Sequence, residues 1–447
     1  MRAYRFASGL AWKAFLASPR VRGPMRMLWA YDSQTLEERK AFIIEGLRNL
    51  LRFYADYDFA PSEWKKVSLI SDPDHFMQAW RDIPLTTKAD LRHQLAPERL
   101  KERGISGRIV SSSGSTGHPV SFLHDKAMLR AISAGRVYAN LRRGWTPGMP
   151  IVSVWGSERD LGVSRRPILR AANWIRRIHL IGAYHLKPDL VDELARLTKR
   201  MPNFALYGFS SMLGYIAREV LRRGDKSFHG RIATAWNGGE PLLREEAEVF
   251  EQAFGTPLLN HYGSREMGGI AFQPNSQEPL AVLRPLVFVE VIREDGRDAA
   301  PGELGKIVCT SLACRGTPFI RYEIGDMGTV AQDGRDLVGV THLSQVHGRT
   351  TETITLPNNV QVHGIFWAGL ARAFPEIEEY QVRWGAAKVE ILLVAPRMSE
   401  PRRLELQSRA QAMLGDLPCC TKRVPRIPRS EQGKLLRVVR DPSLDTT

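Results

Sequence analysis

At 447 residues, with 43% hydrophobic and 25% charged residues, the chain has the balance of a soluble globular protein and is too long for one ordinary core. Its apolar runs, such as Val389-Glu390-Ile391-Leu392-Leu393-Val394, fall far short of a bilayer span, so no transmembrane helix is expected. The formal net charge of +15 fits an anionic partner of some kind, but no recognisable nucleic-acid module accompanies it and no nucleic-acid partner is expected.

Residues 1–35 read as a basic amphipathic N-terminal extension, with Phe6, Leu10, Trp12, Phe15 and Leu16 set among Arg2, Arg5, Lys13, Arg20, Arg22 and Arg26. Two readings fit, an interfacial helix making peripheral membrane contact and a helix packed on the body of the protein. The segment lacks the apolar stretch and small-residue cleavage site of a signal peptide. Residues 36–56 carry Phe42, Ile43, Leu47, Leu50, Leu51 and Tyr54 on one helical stripe. After Ile109-Val110 comes Ser111-Ser112-Ser113-Gly114-Ser115-Thr116-Gly117-His118-Pro119. Strand candidates Ile151-Val152-Ser153-Val154, Ala205-Leu206-Tyr207 and Ile232-Ala233-Thr234-Ala235-Trp236 then alternate with helices at 189–201, 210–223 and 241–254. That alternation predicts an α/β sheet with ligand loops at strand ends. Arg165, Arg166, Arg170, Arg176 and Arg177 fall in a helix-like stretch and are read as a solvated face in preference to a nucleic-acid or acceptor-binding face. From about 280 to 345 the pattern becomes strands and turns, with Val287–Ile292 leading into a hairpin signal at Glu294-Asp295-Gly296, and from about 350 it returns to mixed α and β. Cys309, Cys314, Cys419 and Cys420 show neither metal-ligand spacing nor a dense disulfide pattern, which implies a reducing, cytoplasmic setting.

The Ser/Gly/Thr stretch at 111–117 suits one task in particular. Its glycines allow the positive φ of an anion-holding nest, and its hydroxyls and backbone N–H groups can turn inward around phosphate oxygens. It lacks the Gly-Lys-Ser/Thr ending of a P-loop. Taken alone it reads equally well as a flexible surface loop.

Later segments decide between the two: Asn237-Gly238-Gly239-Glu240-Pro241, His261-Tyr262-Gly263-Ser264-Arg265-Glu266, Arg321-Tyr322-Glu323-Ile324-Gly325-Asp326, and Gly348-Arg349 followed by Gly433-Lys434. In this order they resemble the adenylate-forming enzymes, the superfamily of acyl-CoA synthetases and adenylation domains. Leu85-Thr86-Thr87-Lys88-Ala89-Asp90-Leu91-Arg92, Tyr-Gly-Ser-Arg-Glu at 262–266 and Pro318-Phe319-Ile320-Arg321-Tyr322 bring the resemblance to the phenylacetate-CoA ligase-like branch and its capsular-polysaccharide-associated members. It runs from about residue 40 to about residue 440.

The resemblance implies an α/β fold with a large multi-sheet N-terminal adenylation domain, 1–348, and a small mobile α+β C-terminal lid, 349–447. It implies ATP, Mg²⁺ and CoA as cofactors and a small carboxylic acid as substrate, activated as an adenylate with release of pyrophosphate and passed to CoA or another acceptor. Ser112, Ser113, Gly114, Ser115, Thr116 and Gly117 would surround the phosphates, and Glu266 would hold Mg²⁺, a hard ion that prefers oxygen. Gly238, Gly239 and Glu240 would lie against the adenine and Tyr262 would stack on it, with Gly263, Ser264 and Arg265 in the same nucleotide-binding segment. Asp326 would accept the ribose hydroxyls, Arg349 would partner ribose or phosphate, and Lys434 would stabilise charge at the α-phosphate and the substrate carboxylate. Tyr207, Phe209, Trp236 and His261 are candidates for the acid pocket, although packed aromatics and a packed histidine are the commoner outcome.

Departures from the pattern fall at His118, where lysine is usual, at Arg265, where threonine is usual, and at Thr351-Glu352 and His363 around the expected hinge. A competing reading follows from them, a non-catalytic relative that binds nucleotide or a partner protein. The acid, its acceptor and the oligomeric state are left open.

Overall fold

The computed structural model describes residues 2–18, 21–112, 120–155, 167–182, 189–336, 338–349, 354–355, 361–362, 366–367, 370–371, 373–430 and 434–445. The chain divides into two compact units, one of Met1–Met149, Ile175–Arg177 and Leu259–Val346, the other of Pro150–Trp174, Ile178–Leu258 and His347–Thr447.

The first unit opens with helices α1 (Arg2–Ala17), α2 (Arg22–Asp32) and α3 (Leu36–Tyr54). Trp12 is buried, with its ring 4.7 Å from that of Trp145, and its Nε1 donates to the carbonyl of Arg176 at 2.9 Å. The Trp12 face of α1 is therefore packed on its own unit, while Leu10 and Trp29 stay exposed. Helix α3 starts where Thr35 and Glu38 cap each other, the Thr35 N–H donating to Glu38 Oε2 at 2.8 Å, and of the stripe expected of it Ile43, Leu47, Leu50, Leu51 and Tyr54 are buried and Phe42 is half-buried. Short helices α4 (Ser62–Ser68), α5 (Pro73–Arg81), α6 (Lys88–Arg92) and α7 (Pro97–Glu102) follow. The 85–92 motif proves to be a helix start: Thr87 caps α6 by accepting from the Asp90 N–H, and Asp90 returns the bond. Thr86 ties that start to the 318–322 motif, its N–H donating to the Arg321 carbonyl at 3.0 Å and its hydroxyl to the Ile320 carbonyl at 2.7 Å.

Strands β1 (Arg108–Ser111) and β2 (Ser121–His124) form an antiparallel hairpin ahead of helix α8 (Lys126–Arg142). The unit's large sheet has seven strands. These are β8 (His261–Ser264), β9 (Gly268–Phe272), β10 (Leu280–Val282), β11 (Val287–Ile292), β12 (Leu304–Ser311), β13 (Tyr322–Val330) and β14 (His342–Arg349), in the order β11-β12-β13-β14-β10-β9-β8. The hairpin expected after Val287–Ile292 is β11 against β12, antiparallel, with Val289 opposite Cys309.

In the second unit, β3 (Ile151–Trp155), β4 (Ile178–Gly182), β5 (Phe204–Gly208), β6 (Ile232–Asn237) and β7 (Leu258–Leu259) form a sheet of order β4-β3-β5-β6-β7, in which β4, β3, β5 and β6 run parallel. Helices α9 (Pro167–Arg176), α10 (Leu190–Thr198) and α11 (Ser210–Arg223) supply the crossovers that parallel strands need, and α12 (Arg244–Phe254) leads from β6 to β7. Val152, Val154, Leu206, Ile216, Phe250 and Phe254 belong to the shared core. Helix α12 begins three residues later than expected, because Leu243 is extended and the Glu246 carboxylate accepts its N–H at 3.3 Å. The C-terminal part has its own core around Val382, Ile391, Leu393, Leu406 and Leu414. It holds a small β15 (Ile354–Thr355) and β16 (Gln361–Val362) pair, and a four-stranded sheet of β17 (Glu379–Trp384), β18 (Val389–Val394), β19 (Cys419–Arg423) and β20 (Val438–Arg440) with helix α13 (Glu400–Leu414).

The solvated-face reading of the basic run is only partly met. Arg165 and Arg166 lie outside the described residues and Arg170 is exposed, but Arg176 stacks on the Phe15 ring at 4.5 Å. Arg177 is buried and donates to the Gly148 carbonyl at 2.8 Å. Long arginine stems pack on aromatic rings and reach buried carbonyls, which a count of charges does not reveal.

Candidate active site

In the first unit the root of the Ser/Gly loop is closed by its own hydrogen bonds. The Ser112 N–H donates to the Val120 carbonyl at 2.8 Å, the Ser112 hydroxyl accepts the Val120 N–H at 2.9 Å, and the Ser111 and Ser121 hydroxyls meet at 2.9 Å. Ser113, Gly114, Ser115, Thr116, Gly117 and His118 lie outside the described residues.

The turn between β8 and β9 reaches that root from the other side. A Cβ on Gly263 would sit 2.4 Å from the Gly268 carbonyl oxygen, and one on Gly268, itself at φ +73, would sit 2.6 Å from Ile132, so the turn needs glycine at both places. Ser264 accepts the Met267 N–H at 3.0 Å and fixes the intervening Arg265 and Glu266. Arg265 donates to the Ser111 carbonyl at 3.3 Å, and His124 Nε2 lies 2.9 Å from the Glu266 carbonyl. Both strands of the loop's hairpin are thus tied to the turn that carries Glu266, whose side chain is buried. Burial lowers the His124 pKa, which keeps the ring neutral and leaves Nε2–H as the donor to that carbonyl.

Tyr262 and Asp326 are also together, the Tyr262 hydroxyl donating to Asp326 Oδ2 at 2.7 Å. Gly325, at φ +87, sets the backbone from which Asp326 projects in β13. Cys309 is buried in the neighbouring strand; desolvation pushes its thiol well above the usual range, and the carboxylates of Asp326, Glu290 and Glu266 add to the effect. His261 takes a structural part. Burial, with the nearby Arg143 and Arg136, holds it well below the usual histidine pKa, and its Nδ1 lies 3.2 Å from Arg143 Nη2, which also donates to the Asn260 carbonyl at 3.0 Å.

In the second unit an aromatic row stands at the C-terminal ends of the parallel strands. Tyr207 stacks on Trp155 at 5.1 Å and on Trp236 at 5.7 Å, and Trp155 lies 4.1 Å from Phe209. This is the end of an open α/β sheet where ligands bind. The Gly238-Gly239 turn runs across the row: a Cβ on Gly238 would sit 2.7 Å from the Tyr207 hydroxyl, and one on Gly239, at φ +76, would sit 2.8 Å from Phe209. Lys434 comes to the same place, with Cε 3.4 Å from that Gly239 position and Nζ 5.9 Å from the Phe209 ring centre. The Glu240 carboxylate accepts the Leu435 N–H at 2.7 Å and the Ser211 N–H at 3.0 Å. Arg349 ends β14, with its side chain outside the described residues, as are Thr351, Glu352, His363 and Gly433.

The buried pairs Arg437–Glu246, at 2.6 Å, and Arg429–Glu379, at 2.5 Å, brace the segment around Lys434 and are not anticipated by the motif reading. Each joins residues far apart in sequence; the one local signal is the crowding of arginine on either side of Lys434. Among the described residues no group of three or more His, Cys, Asp or Glu side chains is arranged to hold a metal. A single buried carboxylate, Glu266, beside the root of a phosphate-type loop fits Mg²⁺, which takes most of its ligands from water and substrate phosphates.

No family model matches the chain. It is 25% identical over 245 residues to Protein CapK of Staphylococcus aureus, covering 55% of this chain and 52% of that protein. It is 36% identical over 93 residues to the uncharacterized acyl-CoA ligase YtcI of Bacillus subtilis (strain 168), covering 20% of this chain and 17% of that one. The matches thus span about half or less of these curated relatives. The crystal structure of 2-hydroxyisobutyryl-CoA ligase in the postadenylation state with R3-HIB-AMP superposes with a TM-score of 0.68 at 18% identity, over 92% of this chain and 91% of that one. ATP-bound MatB from Rhodopseudomonas palustris superposes with a TM-score of 0.52 at 17% identity, over 73% and 65%. The chain has the fold of the adenylate-forming ligases, the superfamily that its motif order resembles.

Proposed function

We propose that the protein is an ATP-dependent, AMP-forming acid–CoA ligase of the phenylacetate-CoA ligase-like type. The observation that carries this reading is Lys434 brought from the far end of the chain onto the Gly238-Gly239 turn, at the C-terminal ends of the parallel strands. Acyl-adenylate and ATP in the structural neighbours support the chemistry.

In this reading a substrate carboxylate oxygen attacks the α-phosphorus of ATP, the bond to the bridging oxygen breaks, and pyrophosphate leaves with its electron pair. Two anions must approach, so positive charge and N–H dipoles at the point of attack lower the barrier. Lys434 supplies the ammonium. The Ser112 to Gly117 loop, rooted on Ser111 and Val120, supplies N–H and O–H donors to the phosphates, and Arg265 adds a guanidinium at that root. Mg²⁺ held by Glu266 would neutralise phosphate charge. Asp326, oriented by Tyr262, accepts from the ribose hydroxyls, and the Trp155, Tyr207, Phe209, Trp236 row offers an apolar wall for the acid. The thiol of CoA then attacks the acyl carbonyl and AMP leaves.

The test is acid-dependent pyrophosphate release across aliphatic, aromatic and sugar acids, with and without CoA. Release with at least one acid is expected, and Lys434→Ala should lower its rate by about 10²–10³ with ATP binding retained, the usual loss for one charge-stabilising donor. Unchanged release in that variant would remove Lys434 from the mechanism.

A further inference from the structure

The Glu240 carboxylate does something that the glycines before it do not. Its Oε2 accepts the Ser211 N–H at 3.0 Å at the first turn of α11, where backbone donors lack helical partners and a negative charge is favoured. Its Oε1 accepts the N–H of Leu435, the residue after Lys434, at 2.7 Å. Glu240 is itself held, since the Asn237 side-chain amide donates to its carbonyl at 2.8 Å.

The Lys434 segment meets this anchor already braced. The Ser430 N–H donates to the Lys434 carbonyl at 3.0 Å and the Lys434 N–H to the Ser430 hydroxyl at 3.1 Å. On one side Arg429 donates to Ser211 Oγ at 3.0 Å, and on the other Arg437 pairs with Glu246 of α12. From outside the segment, Glu240 reaches the backbone N–H next to Lys434, and the Gln381 amide donates to the Leu436 carbonyl one residue further on, at 2.8 Å. We infer that Glu240 is a positioning residue: by bridging the start of α11 and the Leu435 N–H it fixes where the Lys434 ammonium stands over the Gly238-Gly239 turn. This deepens the adenylation reading and rests on it, but the bridge itself is a property of the protein without substrate.

The experiment joins a substrate-free readout to a kinetic one. In Glu240→Ala the Leu435 N–H loses its acceptor, so its hydrogen exchange should accelerate about tenfold or more, the equivalent of one net hydrogen bond. A misplaced ammonium should lower kcat for acid-dependent pyrophosphate release by about 10²-fold, with KM for ATP changed by less than about threefold. Glu240→Gln, which keeps one acceptor oxygen and close to the same volume, should fall between, and it serves as the test protein if Glu240→Ala does not fold. Unchanged Leu435 exchange, or faster exchange with kcat intact, would overturn the inference. So would a raised ATP KM with kcat preserved, because Glu240 would then be a nucleotide contact. Faster exchange in a protein whose wild type releases no pyrophosphate with any acid would uphold the bridge and sink the adenylation reading instead.

Discussion

Glu266 shows how a side chain and its own backbone can be assigned separate duties. Its carbonyl is held by His124, whereas its carboxylate has the chemistry for Mg²⁺. Glu266→Gln leaves the carbonyl bond untouched and is close in size, so the fold should persist while the Mg²⁺ concentration for half-maximal turnover rises severalfold. An identical Mg²⁺ titration would exclude the carboxylate as a ligand. The same separation of structure from chemistry applies to His261, held neutral by burial and by Arg143. Its folded pKa lies below that of an unfolded histidine, about 6.5. As pH falls through 6.5 the unfolded chain takes up a proton that the fold refuses, so stability present above that pH is lost below it, at about 1.4 kcal/mol per pH unit for each such histidine. Urea midpoints at pH 7.5, 6.5 and 5.5 should fall more steeply in the wild type than in His261→Gln. Parallel slopes would mean that the ring charges freely inside the fold.

At the level of elements, the motifs near 85–92 and 318–322 are one device. The capped start of α6 lies against the approach to β13, and Arg321 joins them through a buried pair with Glu290 at 3.1 Å and bonds to the carbonyls of Arg81 and Ile83. Because β13 carries Asp326, this clamp sets the strand on which a proposed ribose ligand stands. Arg321→Met strands a buried carboxylate and two carbonyls and should cost about 3–5 kcal/mol; adding Glu290→Gln should return part of it, as denaturant unfolding would show. Strands β3, β5 and β6 and helices α10 to α12 were legible from alternation, whereas β4 and β7 were not, and α11 matches its expected span because Phe209 precedes it in extended conformation and Gly224 ends it at φ 63. What could not be read was partnership. Nothing local in Tyr262 points to Asp326, in Glu240 to Leu435, or in Arg437 to Glu246, since each bond depends on how distant segments fold together. The pocket candidates divide for the same reason: Tyr207, Phe209 and Trp236 share an aromatic row, whereas His261 is a partner of Arg143.

For the whole molecule, the proposed function asks one lysine-bearing segment to serve adenylation and then give way to CoA. The resemblance implies a lid that turns about a point just after Gly348-Arg349, a boundary proposed here at 348/349. In the structure the Lys434 segment is bound to Glu240, Ser211 and Glu246; in the proposed function adenylation would be carried out with those bonds made, and thioester formation would require them to break. The same resemblance implies aspartate where this chain has Thr351, and a β-branched residue is the stiffer choice for a hinge. Transfer to CoA is therefore expected to be the slower half-reaction. Thr351→Asp should speed transfer and leave adenylation unchanged, and Thr351→Pro, with φ fixed near −65°, should block transfer alone. Single-turnover measurement of each half-reaction separates the cases. If both substitutions alter both steps equally, Thr351 is not the pivot, and the slow step has to be sought in the buried Arg437–Glu246 and Glu240–Leu435 bonds that the lysine segment must give up.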